Sequence, residues 1–375
     1  MGRESGHEFP DATSGRCTRR TPWQHHRMPR RPPASVQAEL FEAEVRQEET
    51  LAAKLPTEGR VGAAPIDEIW RELATQLEAA FGKRLHLGTS SWYFPGWAGL
   101  VWDERPYSES DLSRYGLAAY ARHPLLRTVS LDRTFYRAID AATYAKQARQ
   151  TPDDFRFVVK APAEITDAVL RATDSGAPLQ DNPFFLDARR ALALAVQPAV
   201  EGLGNKLGAL VFQISPLPAA WLRNSNALLD RFSALWRTVV PAMPSSALTA
   251  IELRDARMLT PRLMAHLAQH GVRYCVGVHD RMPPAAGQLQ AARAAGAGDF
   301  ICRWNLHQGL RYNQAKAQWA PFDRLQAPDA ETREALARAV VAALSDGHRA
   351  FVTINNKAEG SAPLSVIGKR PANAC

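Results

Sequence analysis

Residues 85–97 read LHLGTSSWYFPGW. Leu85 and Leu87 alternate as a strand does, and the run then meets Gly88, small hydroxyl residues and the aromatics Trp92, Tyr93, Phe94 and Trp97. A strand that ends in glycine, hydroxyls and clustered aromatics has the composition of a ligand-facing loop at the carboxyl end of a sheet. The competing reading makes the aromatics the cap of a core. The balance tips because polar residues recur at the ends of later strand-like runs.

Outward from this stretch the pattern is regular. Short apolar runs fall at 86–90, 128–132, 155–160, 209–213, 250–254, 274–278, 300–304 and 350–355. Helical stretches separate them at 111–122, 139–149, 184–199, 219–238, 260–270, 285–295 and 329–346. Strands alternating with helices predict a parallel sheet, and eight repeats in about 280 residues predict a (β/α)8 TIM barrel, placed at 84–369. A doubly wound open sheet is the rival, but its nucleotide loop is missing: the glycines at 202, 204 and 208 have the wrong spacing and precede their strand. That stretch reads as a flexible connection.

Upstream, 65–82 carries Ile66, Ile69, Trp70, Leu73, Leu77 and Phe81 on one helical stripe, so 61–83 is an amphipathic helix leading into the barrel. Residues 35–54 have helical composition with an acidic face. The segment 1–60 reads as an extension, largely disordered. Its first 34 residues hold seven arginines against Glu4, Glu8 and Asp11, with little to bury; they are a solvated tail, sequence ahead of a start at Met28, or a basic arm. Residues 370–375 form a short tail.

The bulk composition belongs to a soluble globular chain: 375 residues, 46% hydrophobic and 22% charged. No apolar run reaches the roughly 18 residues of a membrane span. The net charge of +8 is concentrated in the tail, which weakens it as a sign of nucleic-acid binding. Cys17, Cys275, Cys302 and Cys375 show no CxxC spacing, which argues against a disulfide framework or zinc site and fits a reducing cytoplasm.

The chemistry-bearing residues cluster at strand ends, where such barrels act. Trp92 follows strand one, Asp132 and Tyr136 strand two, Lys160 strand three and Gln213 strand four. Glu252 and Arg254 end strand five, His279 and Asp280 strand six, Arg303 and Asn305 strand seven, Asn355 and Asn356 strand eight. Alternation puts Glu252 and Arg254 on one face and Ile251 and Leu253 on the other; Arg303 and Asn305 likewise share a face. One such ion pair is explicable as scaffold. Lysine, carboxylates, arginines and amides converging on one rim indicate a polar ligand site. Lys160, Arg254 and Arg303 suit a phosphate or carboxylate, Glu252 or Asp280 a general base with Lys160 as its partner, and Trp92 and Tyr136 a stacking wall. Glu252, His279, Asp280 and His307 are the residue types of a metal site, but no HxH or HExxH spacing orders them, and no metal or other cofactor is expected. Neither GxSxG nor a P-loop occurs.

With these motifs in view, the chain resembles the DUF72 (YecE-like) family, whose fold is a TIM barrel. The resemblance rests on GTSSWYFPGW (88–97), RTFYR (133–137), FRFVVKAPAEIT (155–166), LGALVFQISP (207–216), AIELRD (250–255), VGVHD (276–280), ICRW (301–304) and INNKAEGSAP (354–363). It implies the barrel and a polar pocket at its carboxyl end, and no established reaction. The usual Glu-x-Asn-Ser-Thr-Phe-Tyr motif of strand two is altered: Ser130, Asp132 and Arg133 stand at its glutamate, asparagine and serine. Thr166-Asp167 replaces the usual Thr-His, and the aromatic expected near Met258 is absent.

The expectation is therefore an enzyme of unassigned reaction working by acid/base chemistry on a small polar, anionic ligand. Glu252, Lys160 and Asp280 are its catalytic candidates, and Trp92, Asp132, Tyr136, Gln213, Arg254, Arg303, Asn305, Asn355 and Asn356 its ligand-binding ones. The alternatives are a nucleic-acid-binding or nucleic-acid-processing protein, using the tail with Arg114, Arg122, Arg127, Arg133 and Arg137 as phosphate contacts, and a non-catalytic ligand sensor. No membrane association is expected.

Overall fold

Runs such as TVSL, RFVVK and LTAIEL are buried along almost their whole length, as strands covered on both sides are. The computed structural model describes residues 60–171 and 178–367. In it these runs become β1 (Leu85–Thr89), β2 (Thr128–Leu131), β3 (Arg156–Lys160), β4 (Leu207–Ile214), β5 (Leu248–Leu253), β6 (Arg273–Val278), β7 (Phe300–Trp304) and β8 (Ala350–Ile354). Each pairs in parallel with the next, and β8 closes on β1 through Leu85↔Ala350 to Thr89↔Ile354. The sheet is a closed eight-stranded (β/α)8 TIM barrel, as the alternation predicts.

Strand parity sorts the side chains into two cores. Val158, Ala209, Val211, Leu248, Ala250, Cys275, Ile301 and Phe351, drawn from β3 to β8, meet one another inside the barrel. The alternate residues, Val159, Phe212, Ile251, Val276 and Trp304 among them, join the larger core shared with the surrounding helices. Gly88 marks the tightest approach in the wall: a Cβ there would lie 1.8 Å from the Thr128 carbonyl oxygen, so a side chain would force β1 and β2 apart.

Several boundaries move. Asp132, Arg254, Asn305 and Asn355 lie just past their strands, because the chain turns there: Asp132 opens the 3-10 turn Asp132–Phe135, and Asn355 caps the helix Asn356–Glu359 by accepting from Lys357 N. The helix expected at 111–122 breaks at Gly116, and that at 219–238 breaks at Asn224 and runs on to Ala242. The glycine stretch is structured, not a loose connection: it ends the helix Gln197–Leu203, makes a 3-10 turn and enters β4. Two features went unexpected, an antiparallel pair (Val169–Arg171 with Pro178–Asp181) and the helix Tyr312–Trp319 between β7 and β8.

The upstream helix is Glu68–Phe81, but none of its residues is fully buried. Trp70, Leu73, Leu77 and Phe81 are half-buried and Ile69 is exposed. No helix among the described residues is long and apolar enough to cross a membrane. The tail 1–34, the stretch 35–54, the segment 370–375, Cys17 and Cys375 lie outside the described residues.

Candidate functional site

The inward parity that supplies the apolar core of the barrel continues upward into charge. Along β5 it runs Leu248, Ala250, Glu252, then Arg254 beyond the strand; along β7 it runs Ile301, Arg303, then Asn305. An ionised group at such depth is tolerated only when paired or wet, and here pairing is extensive. Glu252 is 0% exposed. One of its oxygens accepts from Arg303 Nη1, and the other meets Arg254 Nη2 at 2.6 Å and Asn305 Nδ2 at 3.1 Å. Arg303 Nη2 reaches over to Asp132, whose carboxylate also accepts from Ser130 Oγ at 2.7 Å. Arg254 Nη2 donates to Gln213 Oε1 at 2.9 Å. Gly277 on β6 makes room for the network: a Cβ there would sit 3.0 Å from Glu252 Cγ.

Burial pushes the Glu252 carboxyl up, but Arg254, Arg303 and Lys160 outweigh it and hold the group down at about 2. The same carboxylates, Asp132 and Glu252, overcome the burial of Arg303 and raise it further, whereas Arg254, dominated by burial, is lowered.

Lys160, the last residue of β3, is in the opposite position. It is 6% exposed, and among the described residues its ammonium makes no hydrogen bond or ion pair. Nζ lies 3.9 Å from the centre of the Phe135 ring. Thr134 Oγ1 fixes the strand end beneath it, hydrogen bonded at 2.6 Å to both the Leu131 and Lys160 carbonyls. Burial first, then repulsion from Arg303 and Arg254, lowers the amine to about 7 against the pull of Asp132 and Glu252.

Above the network opens a cavity of about 930 Å³. Lys160, Arg254 and Arg303 form its floor, and Arg133, Arg281, Arg311 and Lys357 face it from the walls; its lining carboxylates are Asp132 and Asp280. Seven cationic side chains against two carboxylates, with Glu252 underneath, leave the cavity positive. Ser90 Oγ, Arg254 Nε and Arg303 Nε are buried and have no hydrogen-bond partner among the described residues.

Most of the expected residues line this one cavity: Trp92, Asp132, Tyr136, Lys160, Gln213, Arg254, Asp280, Arg303, Asn305 and Asn355. Two do not. Glu252 lies beneath the floor. Asn356 turns into the protein, where its Oδ1 accepts from Trp97 Nε1 at 3.1 Å and from Ala362 N at 2.8 Å; the helix that starts there rotates it away from the mouth. The stacking wall also differs from expectation. Trp92 is buried, its Nε1 donating to the Leu112 carbonyl, with the Arg133 guanidinium 5.7 Å over its ring. Tyr136, 86% exposed, stands at the rim edge-on to Phe135, and Tyr312 is also exposed there beneath the Lys357 ammonium.

His279 pairs through Nδ1 with the adjacent Asp280, and burial followed by Arg254 lowers it to about 4. His307 Nδ1 faces the Gln308 carbonyl at 2.8 Å. Among the described residues no group of three or more histidine, cysteine and acidic side chains stands close enough to hold a metal ion.

The arginines offered as nucleic-acid contacts are divided between the two ends of the barrel. Arg133 lines the carboxyl-end cavity, while Arg127 precedes β2 and pairs with Asp154 at 3.2 Å and Glu78 at 3.7 Å. Cavity residues that sequence reasoning passed over include Arg281, Lys357, Arg311 and Tyr312. Arg281 and Lys357 carry the same signal as the others, a polar residue within three positions of a strand end. Arg311 and Tyr312 carry none, because the helix that follows buries only Ala315 and Trp319 and so shows no apolar stripe.

Comparison with known proteins gives the family. The model of the family described as "Protein of unknown function DUF72" matches residues 86–367. Solved structures similar to this chain include a DUF72 family protein of Thermotoga maritima MSB8, at 19% identity and TM-score 0.48, with 76% of this chain and 96% of that one covered. Another is a DUF72 family protein of Enterococcus faecalis V583, at 17% identity and TM-score 0.48, covering 76% and 93%. The Clostridium thermocellum endo-1,4-beta-D-xylanase 10B follows at 10% identity and TM-score 0.39, covering 77% and 66%. None of the curated proteins compared with the chain matches it. The family match spans the whole barrel, from its first strand to the helix after its last, and the chain belongs to the DUF72 family.

Proposed function

We propose that the protein is an enzyme that binds a small phosphate- or carboxylate-bearing molecule at the carboxyl-end mouth of its barrel and transforms it by acid/base chemistry. The observation that carries this reading is the positive cavity floor, where Lys160, Arg254 and Arg303 converge. Arginine nitrogens in fixed orientation bind an oxyanion without further ordering cost.

Lys160 is the acid/base group, since an amine whose proton affinity is matched to neutral pH can both take and give a proton. Glu252 is a positioning residue: sealed under the floor and held anionic, it aims Arg254 and Arg303. Asp280 orients His279, and Asp132 joins Arg303 to the wall. Tyr136 and Tyr312 at the rim accept the flat or apolar part of the ligand. The buried free thiols of Cys275 and Cys302 suit a reducing compartment such as the cytoplasm.

The test is calorimetric titration of the protein with a set of phosphorylated and carboxylated metabolites beside their uncharged analogues. Binding confined to the anionic members, and weakened roughly tenfold or more in Arg254→Met, supports the reading. Equal binding of charged and uncharged members contradicts it.

A further inference from the structure

Lys160 combines features that holding an anion does not require. A lysine that serves only as a point charge is hydrated and flexible. This one is enclosed, its Nζ 3.9 Å from the Phe135 ring centre, facing the same cavity as two guanidinium groups and taking no oxygen partner among the described residues. Its backbone is tied down by Thr134. An amine kept dry beside like charges is a nucleophile, the condition in which lysines attack carbonyl groups. The other cavity amine, Lys357, differs: its Nζ has an oxygen partner, Asn355 Oδ1 at 3.4 Å, and burial lowers it less, to about 8.

We propose that Lys160 forms a Schiff base with an aldehyde or ketone substrate whose phosphate or carboxylate is held by Arg254 and Arg303. This rests on the anionic-ligand reading above, narrows it to carbonyl compounds and makes Lys160 the nucleophile in place of the acid/base group. The amine lone pair adds to the carbonyl carbon, and the C=O electron pair moves to oxygen, which takes the proton that nitrogen gives up. The resulting hydroxyl takes one more proton from water in the open cavity and leaves as water. The nitrogen lone pair then closes the C=N bond as a protonated imine, and no redox change occurs. Such an imine draws electrons from the neighbouring carbon, so the reactions it serves are those that break a C–H or C–C bond beside the carbonyl.

The test uses pyridoxal 5′-phosphate, an anionic aldehyde, as probe. The full-length protein is incubated with it, borohydride supplies hydride to reduce any C=N bond to a stable amine, and peptide mass spectrometry maps the adducts. The expected result is an adduct at Lys160 formed at least roughly tenfold faster than at the exposed Lys146. Pyridoxal, which lacks the phosphate, should label Lys160 more slowly. The Lys160 adduct should vanish in Lys160→Met and Lys160→Arg, each shown folded by its melting midpoint. Adducts on Lys357 or surface lysines with Lys160 unmodified would overturn the proposal. If inorganic phosphate still raises the melting midpoint in that case, the anion site stands and only the covalent step falls. Equal labelling of Lys160 by the two aldehydes would leave its nucleophilicity standing and overturn the anion clamp.

Discussion

Glu252 and Lys160 occupy the same barrel end, yet burial has opposite consequences for them. Glu252 is outnumbered by cations and stays ionised; its carboxyl sits at about 2, against an ordinary value of 4.5. A depressed carboxyl contributes stability that is present above its unfolded value and lost as pH falls through the folded one. Glu252→Gln should therefore flatten the loss of stability between about pH 4.5 and 2 and, by leaving Arg254 without a carboxylate, cost on the order of 3–5 kcal/mol at neutral pH. Urea unfolding across pH measures both, and an unchanged acid limb would contradict the assignment. Lys160 is lowered to about 7 from 10.5, so between those values the unfolded chain holds the proton and stability rises with pH. Lys160→Met should abolish that rise and leave the protein more stable than the parent at pH 7. A destabilised variant would contradict it. Ser130, on β2, and Asp132, in the turn just past it, are hydrogen bonded to each other, and Asp132 also reaches Arg303.

At the scale of elements, the strands were legible as short, mainly apolar runs between helical stretches, several of them ending in an inward polar or charged residue such as Lys160, Gln213, Glu252 or Arg303. Parity alone placed Glu252 beside Arg254 and Arg303 beside Asn305, as found. What was not legible depends on the third dimension. Asn356 looks like Asn355 in sequence, but the helix Asn356–Glu359 turns one toward Lys357 and the other toward Trp97. Trp92 carries the aromatic character of a stacking platform, yet its ring is already covered by Arg133. The two strand glycines give a ranked prediction. Gly88→Ala would put a Cβ 1.8 Å from a backbone oxygen, whereas Gly277→Ala would put one 3.0 Å from a side-chain carbon of Glu252. The second change should cost roughly 1–3 kcal/mol, as small-to-large substitutions in packed sites do, and weaken anion binding by shifting the carboxylate. The first should cost more, because backbone yields less readily than a side chain. Denaturation midpoints in the reverse order would refute this account of the wall.

For the molecule as a whole, the closed parallel sheet explains why residues from 90 to 357 share one cavity: every strand delivers its last inward side chain to the same rim. The net charge of +8 is a poor guide to function, since Arg127 and Arg133 lie at opposite ends of the barrel. The local excess around the mouth is the informative quantity. The most direct measurement of the central claim is an NMR pH titration of the protein labelled at its lysine ε-carbons, with the Lys160 signal assigned from Lys160→Met, in the absence and presence of inorganic phosphate. The account predicts one lysine titrating near pH 7 that shifts to higher pH when phosphate binds beside it. A Lys160 signal titrating with the surface lysines and indifferent to phosphate would contradict it.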